Sequence, residues 1–295
     1  MLLRNAYVQM HIAILLWGLT GILGKAISIS DGMTVWYRML ISALGLILLV
    51  LFRKNFRMPS KKSLIQLSAL GALISIHWVF FFASITYSNV SVALSCFASI
   101  SLFTAILEPL INKRKLQSFE ILLGLCAILG IYIIFSFQKF YGLGILFALM
   151  SSLGGAIFTI YNKKQLEKEE PISITLIEML TGFLFLTILL PFYFEVMGTS
   201  FQIPGKIDII LLLILGLLCT TFAFTISLYA LKKLDAFTMN LSVNLEPIYS
   251  IILAFLIFNE GKELNIGFYI GTAIILASVF IHALFKKQNK SKIST

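Results

Sequence analysis

The chain is poor in charge. Of its 295 residues, 12% are Asp, Glu, Lys or Arg, about half the roughly 25% usual in soluble domains. Such a shortage excludes water as the solvent for most of the surface. Histidine is scarce as well: His11, His77 and His282 fall in separate apolar runs, without the HxxxH or HExxH spacing of a helical metal site. No phosphate-cradling Gly-rich loop is present, and the short loops leave no room for a nucleotide-hydrolysing domain. The acids, too, fail to cluster near one surface as an intramembrane acyl or glycosyl transferase would need. The chain is therefore expected to be neither an enzyme nor a cofactor protein. Cys96, Cys126 and Cys219 are odd in number and sit in apolar surroundings, which excludes a disulfide framework and reads as small buried side chains.

What the chain has in abundance is apolar sequence, 59% of all residues. It falls into runs of roughly 18 to 23 residues, each long enough at a 1.5 Å rise to cross the ~30 Å hydrocarbon core. Helices are expected over 8–29, 33–52, 64–86, 90–111, 119–137, 142–161, 172–194, 207–231, 236–258 and 265–285. The expected fold is an all-α polytopic membrane protein with ten transmembrane helices. The first run is long, lacks a strongly basic leader and precedes nine more, so it reads as a retained helix and not a signal peptide.

A formal charge of +10 could point to nucleic acid, but the cations are placed by topology. With the N-terminus inside, eighteen Lys and Arg fall on inner segments, while Lys139, Lys206 and Lys262 are the outer three. The positive-inside rule accounts for that asymmetry, places both termini in the cytoplasm and removes the need for a nucleic-acid partner.

Internal matches suggest duplication. An offset of 138 relates Trp17-Gly18 to Gly155-Ala156 and Lys25 to Lys163, and an offset of 147 relates Ala83 to Ala230, Asn112 to Asn259, Gly124 to Gly271 and Ile128 to Ile275. The halves, 1–138 and 139–295, would hold five helices each. An odd number forces the second copy to enter the membrane from the opposite side, giving two inverted five-helix repeats. Secondary transporters commonly use that architecture to rock two halves about a site near the midplane.

Across nearly its full length the chain resembles the drug/metabolite transporter superfamily, EamA type. Trp17-Gly18, Arg38, Leu245-Glu246-Pro247 and Asn259-Glu260 followed by Gly271 carry the resemblance. It implies export of amino acids, related metabolites or toxic organic compounds across a bacterial inner membrane. One departure is the lack of a proline near Ile100 or Ser101, where similar proteins often have one. Leu107-Glu108-Pro109 repeats the later tripeptide, but at the offset of 138. A receptor or lipid scramblase is the alternative function.

Polar residues inside apolar helices are the candidate site. Glu246 lies about ten residues, or roughly 15 Å, into the ninth helix, near the midplane, where a charge costs about 2.5–3.5 kcal/mol and usually faces a cavity or partner. It is expected to bind substrate or carry a coupling proton. Thr238, Ser242, Glu246 and Ser250 recur at steps of four, and Ser91, Ser95 and Ser99 match the first three at offset 147. Both stripes could line one cavity or bond their own helix carbonyls. Pro247 should bend the helix and offer a carbonyl beside Glu246. Asn240 and Asn244 either glue helices or line the route. His77 is read as a packing histidine or a proton-exchanging one, and Trp17, Tyr161 and Tyr229 as cavity walls. Arg38 is placed near an outer helix end, where snorkelling is the default and a vestibule the alternative; Glu178 is placed near an inner end, too far away to pair with it. Lys25 and Lys163 read as anchors, with gating or attraction of anionic substrate as the second reading. Glu108 is expected to pair with Lys113 or Arg114. Gly267 and Gly271 have GxxxG spacing for close packing within the chain or across a homodimer.

Overall fold

The computed structural model describes residues 5–53, 56–135, 141–258 and 266–293. Among them every regular element is helical. In chain order these are α1 (Ala6–Ala26), α2 (Asp31–Leu51), α3 (Lys61–Thr86), α4 (Val90–Phe97), α5 (Ser99–Ile111), α6 (Ser118–Phe135), α7 (Gly142–Gln165), α8 (Pro171–Met197), α9 (Lys206–Leu213), a π-helical segment (Ile214–Phe222), α10 (Ala223–Lys233), α11 (Ala236–Val243), α12 (Glu246–Phe258) and α13 (Ile266–Ile293). Seven helical stretches are long and apolar enough to cross a membrane, and 118–134 and 269–285 are shorter apolar helices. Large apolar side chains such as Ile65, Ile188 and Phe192 are more than 60% exposed, as expected of helices whose outer faces meet lipid. The chain is a multi-pass membrane protein.

Helix starts follow the local chemistry. Asn5, Ser60, Asn89 and Asp235 each accept a hydrogen bond from a backbone N–H in the first turn of α1, α3, α4 and α11, satisfying a donor that the helix leaves open. Pro171 opens α8, where its missing N–H costs nothing, and Gly198 ends it at φ 61°, a conformation glycine adopts without strain. The first helix stops at Ala26, three residues short of the expected end, because second-half side chains hold the following segment extended. Ser28 donates through N (2.9 Å) and Oγ (2.7 Å) to Asp208, and Ser30 N donates to Gln202 Oε1 (2.6 Å).

Three apolar runs are irregular. The run expected over 90–111 breaks at Ala98 without a proline; Ser99 Oγ bonds the Cys96 carbonyl and Ser101 Oγ the Ala98 carbonyl. In the run expected over 236–258, Asn244 N bonds Leu241 O and Leu245 N bonds Ser242 O. These tight turns separate α11 from α12, so the interruption falls just before Pro247, whose ring lacks the donor for the Val243 carbonyl. Ala98 and Leu245 are 147 residues apart, the same spacing that relates the later helices of the two halves. The third irregularity is the nine-residue π segment, in which Thr220 Oγ1 and Thr221 Oγ1 bond the carbonyls five residues back, of Leu215 and Gly216.

Close crossings are made by glycine. At the α3–α8 crossing a Cβ on Gly71 would meet the Glu178 carbonyl at 2.6 Å. At the α6–α13 crossing a Cβ on Gly130 would meet the Gly271 carbonyl at 2.9 Å. Gly271 thus packs within the chain. On α1, Gly18 lets α12 approach closely enough for Ser250 Oγ to donate to the Gly18 carbonyl (2.8 Å).

Candidate functional site

A cavity of about 110 Å³ lies among α1, α2, α3, α7, α10 and the two interrupted runs. One water needs roughly 10–15 Å³ of such space, so there is room for several waters or a small organic solute. Trp17 and Thr20 come from α1, Arg38 from α2, and His77, Trp78 and Phe81 from α3. Phe97 and Ile100 flank the break at Ala98, and Val243 and Glu246 flank the break at Asn244 and Leu245. The remaining walls include Asn162 on α7 and Phe224 on α10. Both interruptions therefore border the same space.

Among the described residues Arg38 is the largest fully buried side chain, 2% exposed. Its Nε donates to Thr220 Oγ1 at 2.6 Å, and its guanidinium lies 4.0 Å from the centre of the Trp78 ring. The π segment supplies this arrangement by turning Thr220 toward α2. A cation over an indole face is stabilised by the ring quadrupole, and the planar guanidinium suits that stacking better than an ammonium. The expected snorkelling is corrected here: α2 starts at Asp31 and Arg38 sits seven residues in, roughly 10 Å along the axis, turned toward the helix bundle and away from lipid.

Glu246, 8% exposed, is the first residue of α12. The N-terminal end of a helix favours an anion nearby through the helix dipole. Its carboxylate and the Arg38 guanidinium lie within electrostatic reach, yet no ion pair joins them among the described residues. Among the described residues, only Nε of Arg38 has a protein acceptor. A cation and an anion thus share one cavity without neutralising each other by contact.

Further polar groups lack protein partners. Trp17 Nε1 and Thr20 Oγ1 are buried and make no hydrogen bond with the protein. Buried polar atoms are costly unless bonded, so both are suited to meeting water or a solute. The wall between them is aromatic: Trp17, Trp78 and Phe158 all pack around Phe224, with ring centres 5.2 to 6.1 Å apart. Ring faces of this kind give a flat apolar surface beside the charged pair.

His77 is clasped to α7. Its Nδ1 lies 2.6 Å from the Ser151 carbonyl, and Ser151 Oγ donates to the His77 carbonyl at 3.0 Å. The short contact to a carbonyl places the proton on Nδ1, leaving Nε2 as an acceptor on a ring that lines the cavity. Packing and cavity lining are combined in one residue.

Other expected residues lie elsewhere. Ser99 bonds Ser152 Oγ at 2.7 Å, Asn244 Nδ2 donates to Ser101 Oγ at 3.0 Å, and Ser242 Oγ bonds the Thr238 carbonyl at 2.8 Å. Thr238 belongs to the α11 cap, its N and Oγ1 both donating to Asp235. Thr238, Ser242 and Ser99 do not line the cavity, since each interruption changes the helical register and their hydroxyls are taken up by the Asp235 cap, the Thr238 carbonyl and Ser152. Side chains of Ser91, Ser95 and Lys25 lie outside the described residues. Asn240 glues and lines together: it donates to Thr104 Oγ1 (2.7 Å), accepts from Thr159 Oγ1 (3.1 Å) and borders the cavity. Lys163 is tied to the end of α10. Its ammonium donates to the carbonyls of Leu231 (2.8 Å) and Lys232 (3.1 Å), closing the end of α10. Glu108 accepts from the Phe237 N–H (3.0 Å), at the start of α11. Glu178 is buried on α8 and off the cavity. Tyr161 and Tyr229 do not line it.

Thr20, Asn162, Thr220 and Trp78 were not singled out by sequence. Thr20 follows Trp17 at a helical spacing of three, which places both on one face and is the signal that could have found it.

A family model described as the EamA-like transporter family matches residues 4–136 and 142–284. An uncharacterized transporter of Clostridium kluyveri is 25% identical, the match covering 98% of this chain and 97% of that protein. An uncharacterized transporter of Bacillus subtilis is 22% identical, covering 98% and 93%. One solved crystal structure shares the fold, with a TM-score of 0.75 at 15% identity over 95% of this chain and 97% of that one.

Proposed function

The chain belongs to the EamA-like transporter family, within the drug/metabolite transporter superfamily, and from that premise we propose that it is a secondary transporter of small organic metabolites working by alternating access. The observation that carries the reading is the buried cavity in which Arg38 and Glu246 present opposite charges without an ion pair between them. A solute bearing both an anionic and a cationic group would satisfy the two ends at once, while its apolar part rests on Trp17 and Phe224. Amino acids and related zwitterions meet that description, and the family resemblance favours their export from a bacterial cell.

The proposed architecture is ten spans in two inverted halves, 1–138 and 139–295, with both termini cytoplasmic. Two separate matches to one family model support it, as do interruptions 147 residues apart that border one cavity. Inverted halves meeting at a midplane site can expose that site alternately, and broken helices are the usual way to bring backbone groups to it. The eighteen inner cations against three outer ones support the orientation. A homodimer is not needed for the cavity, which one chain completes.

Purified protein in proteoliposomes, offered a panel of labelled amino acids, sugars, nucleosides and organic cations, tests the function. Saturable transport of at least one zwitterionic amino acid is expected, with uncharged sugars and nucleosides excluded. Movement of labelled lipid between leaflets with no transport of any panel member would replace this reading with a scramblase.

A further inference from the structure

Glu178 is an acid without a function in the cavity just described. It is completely buried on α8 and neither carboxylate oxygen completes a hydrogen bond. The polar side chain that meets it is Asn162 of α7, also completely buried, with neither amide atom completing a hydrogen bond of ordinary geometry. Asn162 borders the cavity, whereas Glu178 does not.

The charged groups inside the bundle on the surrounding elements have partners of their own, and Lys61 and Lys62 of α3 lie at its first two positions. On α2, Arg38 is held by Thr220 and Trp78, and Asp31 accepts from Thr86. His77 of α3 is held by Ser151, and Lys163 of α7 by the carbonyls that end α10. On α10 the charged residues are Lys232 and Lys233, at its last two positions. Among the described residues, no cation pairs with Glu178.

An ionised carboxylate in such a place would be a bare buried charge. A carboxylic acid fits instead. Its O–H can donate to Asn162 Oδ1 while its carbonyl accepts from Asn162 Nδ2, so one proton lets the acid and the amide satisfy each other. A hard metal cation would call for about six oxygens, and these two side chains offer three.

We propose that Glu178 is the proton-binding site of the transport cycle, separate from the Arg38 and Glu246 pair and connected to the cavity through Asn162. Rotation of Asn162 admits cavity water to the acid, and the proton leaves to that water and then to bulk solvent. The carboxylate left behind needs water and the Asn162 donor, a demand met only when the cavity is wet. Proton release is thereby tied to cavity opening. The coupling role rests on the transporter reading, but proton occupancy can be measured without knowing the solute.

Infrared difference spectra of the full chain in lipid at neutral pH should contain a protonated-carboxyl stretch that disappears in Glu178→Gln and persists in Glu246→Gln. Asn162→Leu should shift its frequency by removing the amide partner. Exchanging choline for sodium at fixed pH should leave it unchanged. Absence of any protonated-carboxyl signal dependent on Glu178 would overturn the proposal, as would loss of the signal on adding sodium, which would make this a metal-cation site. In proteoliposomes loaded with a labelled zwitterionic amino acid, Glu178→Gln should retain solute exchange and lose accumulation driven by a pH difference, by about tenfold or more. Undiminished accumulation would also overturn it. Failure of the wild type to move any solute would instead refute the transporter reading, with the infrared result still deciding whether Glu178 binds the proton.

Discussion

Arg38→Gln is expected to reduce transport of a zwitterionic solute by roughly 10- to 150-fold, the loss that follows when one charged hydrogen bond worth about 1.5–3 kcal/mol is removed. The effect is large because Arg38 is the cationic end of the cavity and is already oriented. Thr220 fixes Nε at 2.6 Å, and Trp78 supports the guanidinium plane, so little side-chain entropy remains to be lost on binding. Glutamine retains hydrogen-bonding capacity but has neither the charge nor the planar fork. Arg38→Lys should fall between wild type and Arg38→Gln, keeping a positive charge while losing the stacked geometry. Concentration-dependent uptake in proteoliposomes would show the loss mainly as a raised KM. Wild-type uptake by Arg38→Gln would remove Arg38 from the site.

Gly71→Val should produce the largest structural effect. A Cβ at residue 71 would collide with Thr181 Oγ1 and lie 2.6 Å from the Glu178 carbonyl and 3.0 Å from the Gly182 nitrogen. Two of these atoms are backbone, so rotation of a side chain cannot relieve the overlap and α3 must move away from α8. Overpacking usually costs about 1–3 kcal/mol, and a backbone clash belongs at the upper end or beyond it. A thermal melt in detergent should show a markedly lowered midpoint or loss of the monodisperse protein. Gly21→Val is the control, since nothing lies within 4 Å of the added Cβ, and it should melt near the wild-type temperature. Equal melting of the two variants would contradict the close α3–α8 crossing.

Much of this architecture was legible because membrane solvation imposes long apolar runs, and Glu246, singled out as an acid well inside one of them, is buried in the bundle. Which face of each helix turns inward was harder to read. In an apolar helix the lipid face and the buried face have similar composition, so Asn162 could not be told from polar residues that only join helices. Arg38 was misplaced because a long cation near a helix end ordinarily snorkels, and sequence gave no sign that a π segment would bring Thr220 against it. The break at Ala98 was hidden for a related reason. It has no proline, and serine hydroxyls that compete for backbone carbonyls are equally common in unbroken helices. The steps of four from Ser95 to Ser99 and from Ser242 to Glu246 each span an interruption, where the helical register changes. The two interruptions nonetheless lie 147 residues apart, the offset that relates the later helices of the two halves.

Glu246→Gln tests the central claim most directly. The substitution keeps the shape of the side chain and removes its charge, leaving Arg38 without the opposing group across the cavity. Wild type and variant would be reconstituted at equal density and compared for uptake of the amino acid that the wild type transports best, with detergent melting as the check on folding. Transport reduced to the level of empty liposomes, with an unchanged melt, is the predicted result. Transport at the wild-type rate by a folded Glu246→Gln protein would contradict a site built on Arg38 and Glu246.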